Sequence, residues 1–224
     1  PTKELTWGLI LALLRHIPAE HDNMREGRWQ ETLGVGLAGK TLGLVGLGRI
    51  GAQMVRVAKA FDMRVIAWSQ NLTAEQAAQS GAERVDQDVL LREADVVSIH
   101  LKLSERTTGL LGRRELALMK PSAVLVNTSR GPIVQEAALI QALEHRTIAG
   151  AALDVYDVEP LPERHPLRGL DNVVLTPHLG YVTREVYTEF YGQTLENIQA
   201  YLEGTPKRVV NPEVLGHLRP PPEA

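Results

Sequence analysis

Two kinds of apolar pattern alternate along this chain, and the alternation predicts its architecture. Short, nearly continuous apolar runs fall at residues 42–45 (LGLV), 64–68 (RVIAW), 95–100 (DVVSIH), 123–127 (AVLVN), 150–155 (GAALDV) and 173–176 (VVLT). Runs this short, without polar alternation, suit strands buried on both faces of a parallel sheet. Between them the period changes to that of a helix. After the first run, Ile50, Met54, Val57, Ala58 and Phe61 recur at helical spacing. Further helices are expected over residues 73–80, with Thr73 as N-cap and Gly81 as stop, and over 86–93, 112–119 (ended by Pro121) and 134–145. A long helix over 182–203 places Tyr187, Tyr191, Leu195, Ile198 and Leu202 on one face. Before the first strand, residues 2–28 predict a helix with Leu5, Leu9, Ala12, Leu13 and His16 aligned, kinked or interrupted at Pro18. About seven apolar strands alternating with helices predict an α/β fold with a doubly wound parallel sheet, of the Rossmann dinucleotide-binding type.

Glycines sharpen that expectation. The first strand breaks into Gly46-x-Gly48-x-x-Gly51 and continues directly as a helix, which is the context a dinucleotide fingerprint requires. Gly46 permits the tight turn, Gly48 lets a pyrophosphate approach the backbone, and Gly51 lets helix and strand pack closely. The helix start, at Arg49 and Ile50, offers free N–H groups and partial positive charge to an anion. A glycine turn without a ligand is the plain alternative; the strand-turn-helix context favours the nucleotide.

The end of the second strand bears on which nucleotide. About 20 residues beyond the glycines, NAD-binding folds place a carboxylate against the ribose hydroxyls. Here the residues are Ser69, Gln70 and Asn71. Ser69 and Gln70 can bond a ribose hydroxyl, and the missing carboxylate removes a repulsion against a 2′-phosphate. NADP recognition ordinarily adds a basic residue. Arg64 lies at the wrong end of the strand, and Arg49 serves either that phosphate or the pyrophosphate. The cofactor expected is NAD or NADP, with NAD slightly favoured.

Composition narrows the class. The chain of 224 residues is 44% hydrophobic, enough for one large or two small domains, and its net charge of −3 offers no basic surface for nucleic acid. It has no cysteine, which excludes disulfides, thiolate metal sites and a cysteine nucleophile, and fits a cytoplasmic protein. No apolar run is long enough to span a membrane. Residues 9–14, preceded by Glu4, are too short for a signal peptide. No metal site is expected. A Pro220-Pro221-Pro222 tail is expected to be disordered.

Three later strands end in chemically distinctive residues: Thr128-Ser129-Arg130-Gly131, Asp154 through Glu159-Pro160, and Pro177-His178-Leu179-Gly180. Singly, an arginine after a strand is a surface ion-pair partner and a histidine is an ordinary polar residue. Together, at the sheet edge that carries the glycine turn, they form a site. An arginine can hold a substrate carboxylate through two bonds. A histidine paired with a glutamate has its pKa raised, which suits proton transfer near neutral pH.

With these residues the chain resembles the D-2-hydroxyacid dehydrogenase family, which includes phosphoglycerate, glycerate, D-lactate and formate dehydrogenases. The segments that carry the resemblance are GLVGLGRIG, VVSIHLKLSERTTGLL, MKPSAVLVNTSRGPIV, AALDVYDVEPLP and NVVLTPHLGY, spread over most of residues 5–205. The resemblance implies a catalytic set of Arg130, Glu159 and His178. His178 would exchange the proton of the substrate hydroxyl or carbonyl as hydride passes to or from the nicotinamide. Glu159 would hold His178, and Arg130 would bind the substrate carboxylate. It implies cofactor contacts at Leu101, Thr107, Thr128 and Asp154, the last near the nicotinamide carboxamide, and places Gly180 beside the histidine. Tyr181 would lie near the substrate or serve as a core tyrosine.

Lys102 departs from the proline many members carry there, which puts the local loop geometry in question. The resemblance further implies that the chain opens on a helix that follows a substrate-domain segment. Residues 1–181 would be the NAD(P)-binding domain with its linker helix. Residues 182–224 would be a helix and tail of an incomplete substrate domain, its aromatic face (Tyr187, Phe190, Tyr191) exposed or covered by a partner. Such a chain would bind cofactor and turn over poorly. The partners expected are a small 2-hydroxy or 2-oxo acid and a second copy in a homodimer, with Leu9, Leu13 and Ile17 at the contact, and neither nucleic acid nor membrane. A dinucleotide-sensing corepressor-like module and a formate dehydrogenase of the same family are the alternative readings.

Overall fold

The computed structural model describes residues 1–217; the proline tail lies outside them. Two compact units divide the chain, Pro1–Gly180 and Tyr181–Ala224.

The first unit is a seven-stranded, wholly parallel sheet: β1 (Thr41–Val45), β2 (Arg64–Trp68), β3 (Glu83–Arg84), β4 (Val96–Ile99), β5 (Val124–Asn127), β6 (Gly150–Leu153) and β7 (Val173–Leu175). Their order is β3-β2-β1-β4-β5-β6-β7, so the winding reverses between β1 and β4. This is the doubly wound α/β architecture, Rossmann-like. The helices on it are α1 (Thr2–Leu14), α2 (Ile17–Arg25), α3 (Arg49–Ala60), α4 (Ala74–Gln79), α5 (Gln87–Glu93), α6 (Arg113–Leu118) and α7 (Glu136–Glu144).

Alternate residues of each strand supply opposite cores. On one face Leu42, Leu44, Val65, Val96, Val124 and Val126 pack with Trp7, Leu9, Ile10, Leu13 and Leu14 of α1 and with Met54, Val55 and Ala58 of α3. On the other, Val45, Ile66, Val97, Ile99 and Leu125 pack with Leu90 and Leu91 of α5, Leu116 of α6, and Leu139 and Leu143 of α7. Gly43 belongs to this second face, where a Cβ would come within 2.8 Å of both Ala94 and Leu90. Thr73 caps α4 through a reciprocal capping box with Gln76, and Gly81 follows at φ +80°.

Four expectations are corrected. The N-terminal helix is two helices, broken at His16 (φ 51°), and Pro18 sits in the first turn of α2, where its missing N–H costs nothing. The buried stripe of α1 is Thr6, Trp7, Leu9, Ile10, Leu13 and Leu14, whereas Ala12 is half-buried and His16 exposed. β3 had no apolar pattern to announce it: its two residues are exposed and pair with Ile66 and Ala67 at the sheet edge. The helix expected from residue 134 starts at Glu136, because Gly131–Ile133 form a separate 3₁₀ turn. A further consequence concerns Leu9 and Leu13. Both are core residues, 3% and 8% exposed, and baring either for a partner would cost about 2 kcal/mol. Of the three residues named for a dimer contact, Ile17 alone is exposed, at 53%.

The second unit is built on α8 (Arg184–Leu202), capped by the Thr183 hydroxyl accepting from the Val186 amide. Tyr181 lies against Tyr187 and Phe190, and Tyr187 meets Tyr191 edge-on at 5.7 Å. Arg208 returns to α8 through Asn197 and Glu196. Tyr187, Phe190, Tyr191, Leu195, Ile198 and Leu202 are all exposed. Among the described residues no helix is long and apolar enough to cross a membrane.

Candidate active site

Parallel strands deliver every carboxyl end to one edge of the sheet, and the residues singled out by sequence follow β1, β2, β4, β5, β6 and β7 there. At the reversal point the turns after β1 and β4 touch. Gly46, at φ +105°, lies so close to the main chain of His100 that a Cβ would stand 2.7 Å from its carbonyl oxygen, and Leu101 is the next neighbour. Gly51 is equally confined, its Cβ position being 2.6 Å from the Gly46 carbonyl oxygen. Gly48 differs: a Cβ there would meet nothing within 4 Å, and the residue is exposed at the N-terminus of α3. Two glycines are thus required by the chain's own packing, and the third leaves bare backbone facing open space. A cradle of that kind at a helix N-terminus fits a dinucleotide pyrophosphate. Arg49, exposed, and Ile50, half-buried, form the first turn of α3.

Ser69 and Gln70 follow β2 in a turn closed by the Leu72 amide on the Ser69 carbonyl. Residues 69–71 include no carboxylate. Arg64 is spoken for at the opposite end of β2, where it bridges Glu83 and Glu93 at 2.7 Å each.

The turn after β5 is held by Asn127. Its side-chain amide donates to the Arg130 carbonyl at 2.9 Å, and its oxygen accepts from the Ser129 amide at 3.0 Å. The Ser129 hydroxyl reaches the Leu101 carbonyl, joining this turn to that of β4. Arg130 is exposed, with one guanidinium N–H on the Ser129 carbonyl. The Thr128 hydroxyl is buried against that of Thr6 at 2.8 Å. Thr107 stands apart from this cluster in its hydrogen bonding, its hydroxyl serving the Lys102 carbonyl and the Ser104 amide within the loop after β4.

His178 and Glu159 are brought together from β7 and β6. Nδ1 of His178 lies 2.6 Å from Oε2 of Glu159, and the other carboxylate oxygen accepts from the Tyr156 amide at 2.9 Å. Burial raises the Glu159 pKa, but the hydrogen bonds from His178 and Tyr156 and the positive charges of His178 and Arg130 outweigh it, leaving the carboxyl below the usual range. His178 adopts φ +55°, a left-handed conformation that its neighbours must stabilise. Asp154 does so. Its oxygens accept from the Thr176 hydroxyl at 2.6 Å and from the Leu179 and Gly180 amides at 2.7 and 2.9 Å, while its carbonyl accepts from the His178 amide. Asp154 is 1% exposed, and three donors already engage the carboxylate expected near a carboxamide.

Several supporting residues escaped the sequence reading. Asn127 closes the apolar run before Arg130 and was visible as a polar strand end. Gly131 matters because the main chain of Tyr156 passes 2.1 Å from where its Cβ would be. Thr2 and Thr6 had no signal, since their partners are 178 and 122 residues away in sequence.

Comparison with known proteins bears on this geometry. Residues 7–180 match the model of the D-isomer specific 2-hydroxyacid dehydrogenase NAD binding domain. The chain is 44% identical over 224 residues to a glyoxylate reductase of Aeropyrum pernix, covering 96% of this chain and 67% of that protein. It is 41% identical over 220 residues to a D-3-phosphoglycerate dehydrogenase of Synechocystis sp., covering 95% of this chain and 40% of the relative. A crystal structure of a phosphoglycerate oxidoreductase of Vibrio cholerae superposes with a TM-score of 0.86 at 36% identity, over 90% of this chain and 66% of that one. The chain therefore spans about two-thirds of the length of the first relative and two-fifths of the second. With a doubly wound sheet, a nicotinamide-dinucleotide cradle and this match over most of its length, the chain belongs to the D-isomer specific 2-hydroxyacid dehydrogenase family.

Proposed function

We propose that this chain is the NAD(P)-binding and catalytic part of an oxidoreductase that interconverts a D-2-hydroxy acid and its 2-oxo acid. The observation that carries the reading is the 2.6 Å His178–Glu159 pair, set beside Arg130 on the sheet edge that also bears the Gly46–Gly51 cradle. The bound dinucleotide would supply the hydride acceptor or donor, held at Gly48 and the start of α3. Residues 1–181 would form the cofactor domain and 182–224 would contribute to a second one.

Each side chain then has a task set by its chemistry. Arg130 presents a guanidinium to the substrate carboxylate, and its fixed charge polarises the adjacent carbonyl. Glu159 engages Nδ1 of His178, which assigns Nε2 to proton exchange with the substrate oxygen. In reduction the imidazolium donates that proton, and in oxidation the neutral ring accepts it. Glu159, held ionised below the usual carboxyl range, keeps a hydrogen-bond acceptor on Nδ1 and so fixes the ring's orientation in both directions. Ser69 and Gln70 would meet the adenosine ribose, leaving NAD slightly favoured over NADP.

Glyoxylate and phosphohydroxypyruvate, with hydroxypyruvate as the latter's unphosphorylated analogue, are the first substrates to test, since relatives at 41–44% identity are named for glyoxylate and phosphoglycerate. A homodimer is proposed as well, with Ile17 rather than Leu9 or Leu13 at the surface available for it. A cytoplasmic setting is supported by the lack of cysteine. The deciding measurement is NADH oxidation by the full-length protein with each 2-oxo acid, wild type against His178→Ala. The variant should lose at least a hundredfold in kcat while binding NADH normally. Equal turnover by the two proteins would refute the assignment.

A further inference from the structure

The first turn of α1 is hydrogen-bonded to two of the loops that carry reacting residues. Thr6 is fully buried. Its hydroxyl bonds the Thr2 carbonyl at 2.8 Å and the Thr128 hydroxyl at 2.8 Å. Counting protons orients this pair. A carbonyl only accepts, so the single hydroxyl proton of Thr6 goes to Thr2, and Thr128 must supply the proton of the threonine pair. Thr2 then donates its own hydroxyl to the Gly180 carbonyl at 2.9 Å, and the Gly180 amide donates to Asp154 at 2.9 Å. A continuous chain thus runs Thr128–Thr6–Thr2–Gly180–Asp154. Thr128 lies two residues before Arg130, and Gly180 two residues after His178. These loops follow β5 and β7, which do not pair with each other because β6 stands between them.

We infer that Thr6, with Thr2, is a positioning residue for the hydride-transfer reaction, bracing the Arg130 and His178 loops against each other through the first turn of α1. The inference rests on the function proposed above. Sheet hydrogen bonds fix the strands but end before these loops, and His178 sits at φ +55°, in a conformation that depends on its surroundings. Three further features favour a positional role over incidental satisfaction of core hydroxyls. The bonds to Thr128 and Gly180 are long-range, they converge on one helical turn, and Gly180 approaches closely enough that a Cβ would stand 3.3 Å from Thr2 Cγ2.

The test is steady-state reduction of glyoxylate and hydroxypyruvate by the full-length protein carrying Thr6→Val, Thr6→Ser or Thr2→Val, with NADH affinity measured separately by fluorescence titration. Thr6→Val keeps the shape and removes both bonds. It should lower kcat about tenfold, since loosening a reacting geometry from a distance is costly, while NADH affinity stays within about twofold. Thr6→Ser, which keeps the hydroxyl, should restore kcat to within about twofold of wild type. Thr2→Val should lower kcat in the same sense, and the double variant should be no worse than the poorer single one, as members of one chain are not additive. Wild-type kcat in Thr6→Val, or equal loss in Thr6→Ser and Thr6→Val, would overturn the inference. If Thr6→Val does not fold, Thr2→Val at the half-buried helix start decides, and wild-type kcat there overturns it. A wild-type protein that binds NADH and reduces no 2-oxo acid would instead refute the underlying function, and this inference with it.

Discussion

Substituting alanine at Gly48 and at Gly51 should have opposite consequences, because only one of the two is required by the protein itself. Gly48 has φ −92° and ψ −157°, a conformation open to any residue, and a Cβ would meet nothing within 4 Å. Replacing glycine at a helix N-cap with alanine costs a few tenths to about 1 kcal/mol. The smaller conformational freedom of the unfolded chain returns about 0.4–1 kcal/mol. The net change in stability should stay within about 1 kcal/mol. Binding is another matter. If the pyrophosphate lies on this backbone, a methyl group holds it off and removes one hydrogen bond to a charged group, at about 1.5–3 kcal/mol. Since about 1.4 kcal/mol is tenfold in affinity, Gly48→Ala should bind NADH at least tenfold and up to about a hundredfold more weakly. Gly51→Ala places a Cβ 2.6 Å from the Gly46 carbonyl oxygen, where 3.4 Å is ordinary contact. Overpacking of that kind costs about 1–3 kcal/mol, so Gly51→Ala should lower the urea midpoint before any ligand is added. The assay is urea unfolding without cofactor, followed by titration with NADH and with NADPH. Gly48→Ala binding both like wild type would refute the cradle, and Gly48→Ala as unstable as Gly51→Ala would refute the packing argument.

Gly131→Ala should damage both fold and reaction. Its Cβ would stand 2.1 Å from the carbonyl carbon of Tyr156, forcing apart the Arg130 turn and the loop whose amide holds Glu159, and a loss of about a hundredfold in kcat is expected; a near-wild-type rate would contradict it. Glu159→Gln keeps an acceptor for Tyr156 and removes the charge beside His178, so kcat should fall roughly a hundredfold. In the wild type this carboxyl is held below its usual pKa, so its contribution to stability is complete above the unfolded value and disappears as pH falls through the folded one. The acid limb of the unfolding profile should therefore shrink in Glu159→Gln. His100 supplies a second pH signature: burial pushes its imidazole down to about 4, against 6.5 when unfolded. Stability on this account is full above about 6.5 and declines towards pH 4, by up to about 3 kcal/mol. Urea midpoints at pH 7 and pH 5 should converge in His100→Asn, and an unchanged difference would exclude His100 as the source.

The parts of the fold visible in the sequence were those whose signal is local and apolar. RVIAW is β2 to the residue, and the capped helix from Thr73 carries its own start and stop. β3 was invisible because an edge strand of two polar residues owes its existence to the neighbour it pairs with. The break in the N-terminal helix was foreseen but misplaced: Pro18 is tolerated in a first turn, so the interruption falls on His16 instead. The site divided along the same line. Glu159 and His178 could be named because each stands in a short distinctive segment, yet their 2.6 Å pairing depends on two strands lying side by side. Asp154 was named for the cofactor, and the structure shows in addition that its carboxylate accepts from Thr176, Leu179 and Gly180. Local sequence announces a polar residue at a strand end. Which donors reach it is decided by residues far along the chain.

The N-terminal helix brings these lines together. Judged by pattern, residues 2–28 are a helix preceding the first strand, with one apolar face. In the structure α1 packs on the sheet face shared with α3, contributing Trp7, Leu9, Ile10, Leu13 and Leu14 to that core. Burying side chains of this kind stabilises by about 1.5–3 kcal/mol each, so α1 is held by its apolar stripe with enough strength to act as a fixed support. Its polar residues can then be used for geometry. Thr2 and Thr6 lie four apart, one above the other on the helix, and reach Gly180 and Thr128 respectively. Neighbouring strands are about 4.8 Å apart, so β5 and β7 are separated by about 10 Å across β6. A helical turn rises about 5.4 Å, and two threonine side chains extend its reach to both loops. The apolar stripe therefore determines where the helix lies, and the two hydroxyls use that position to join the Arg130 loop after β5 to the His178 loop after β7. Removing a hydroxyl should leave the helix in place and loosen the loops, which is why kcat rather than stability is the quantity on which Thr6 and Thr2 will be judged.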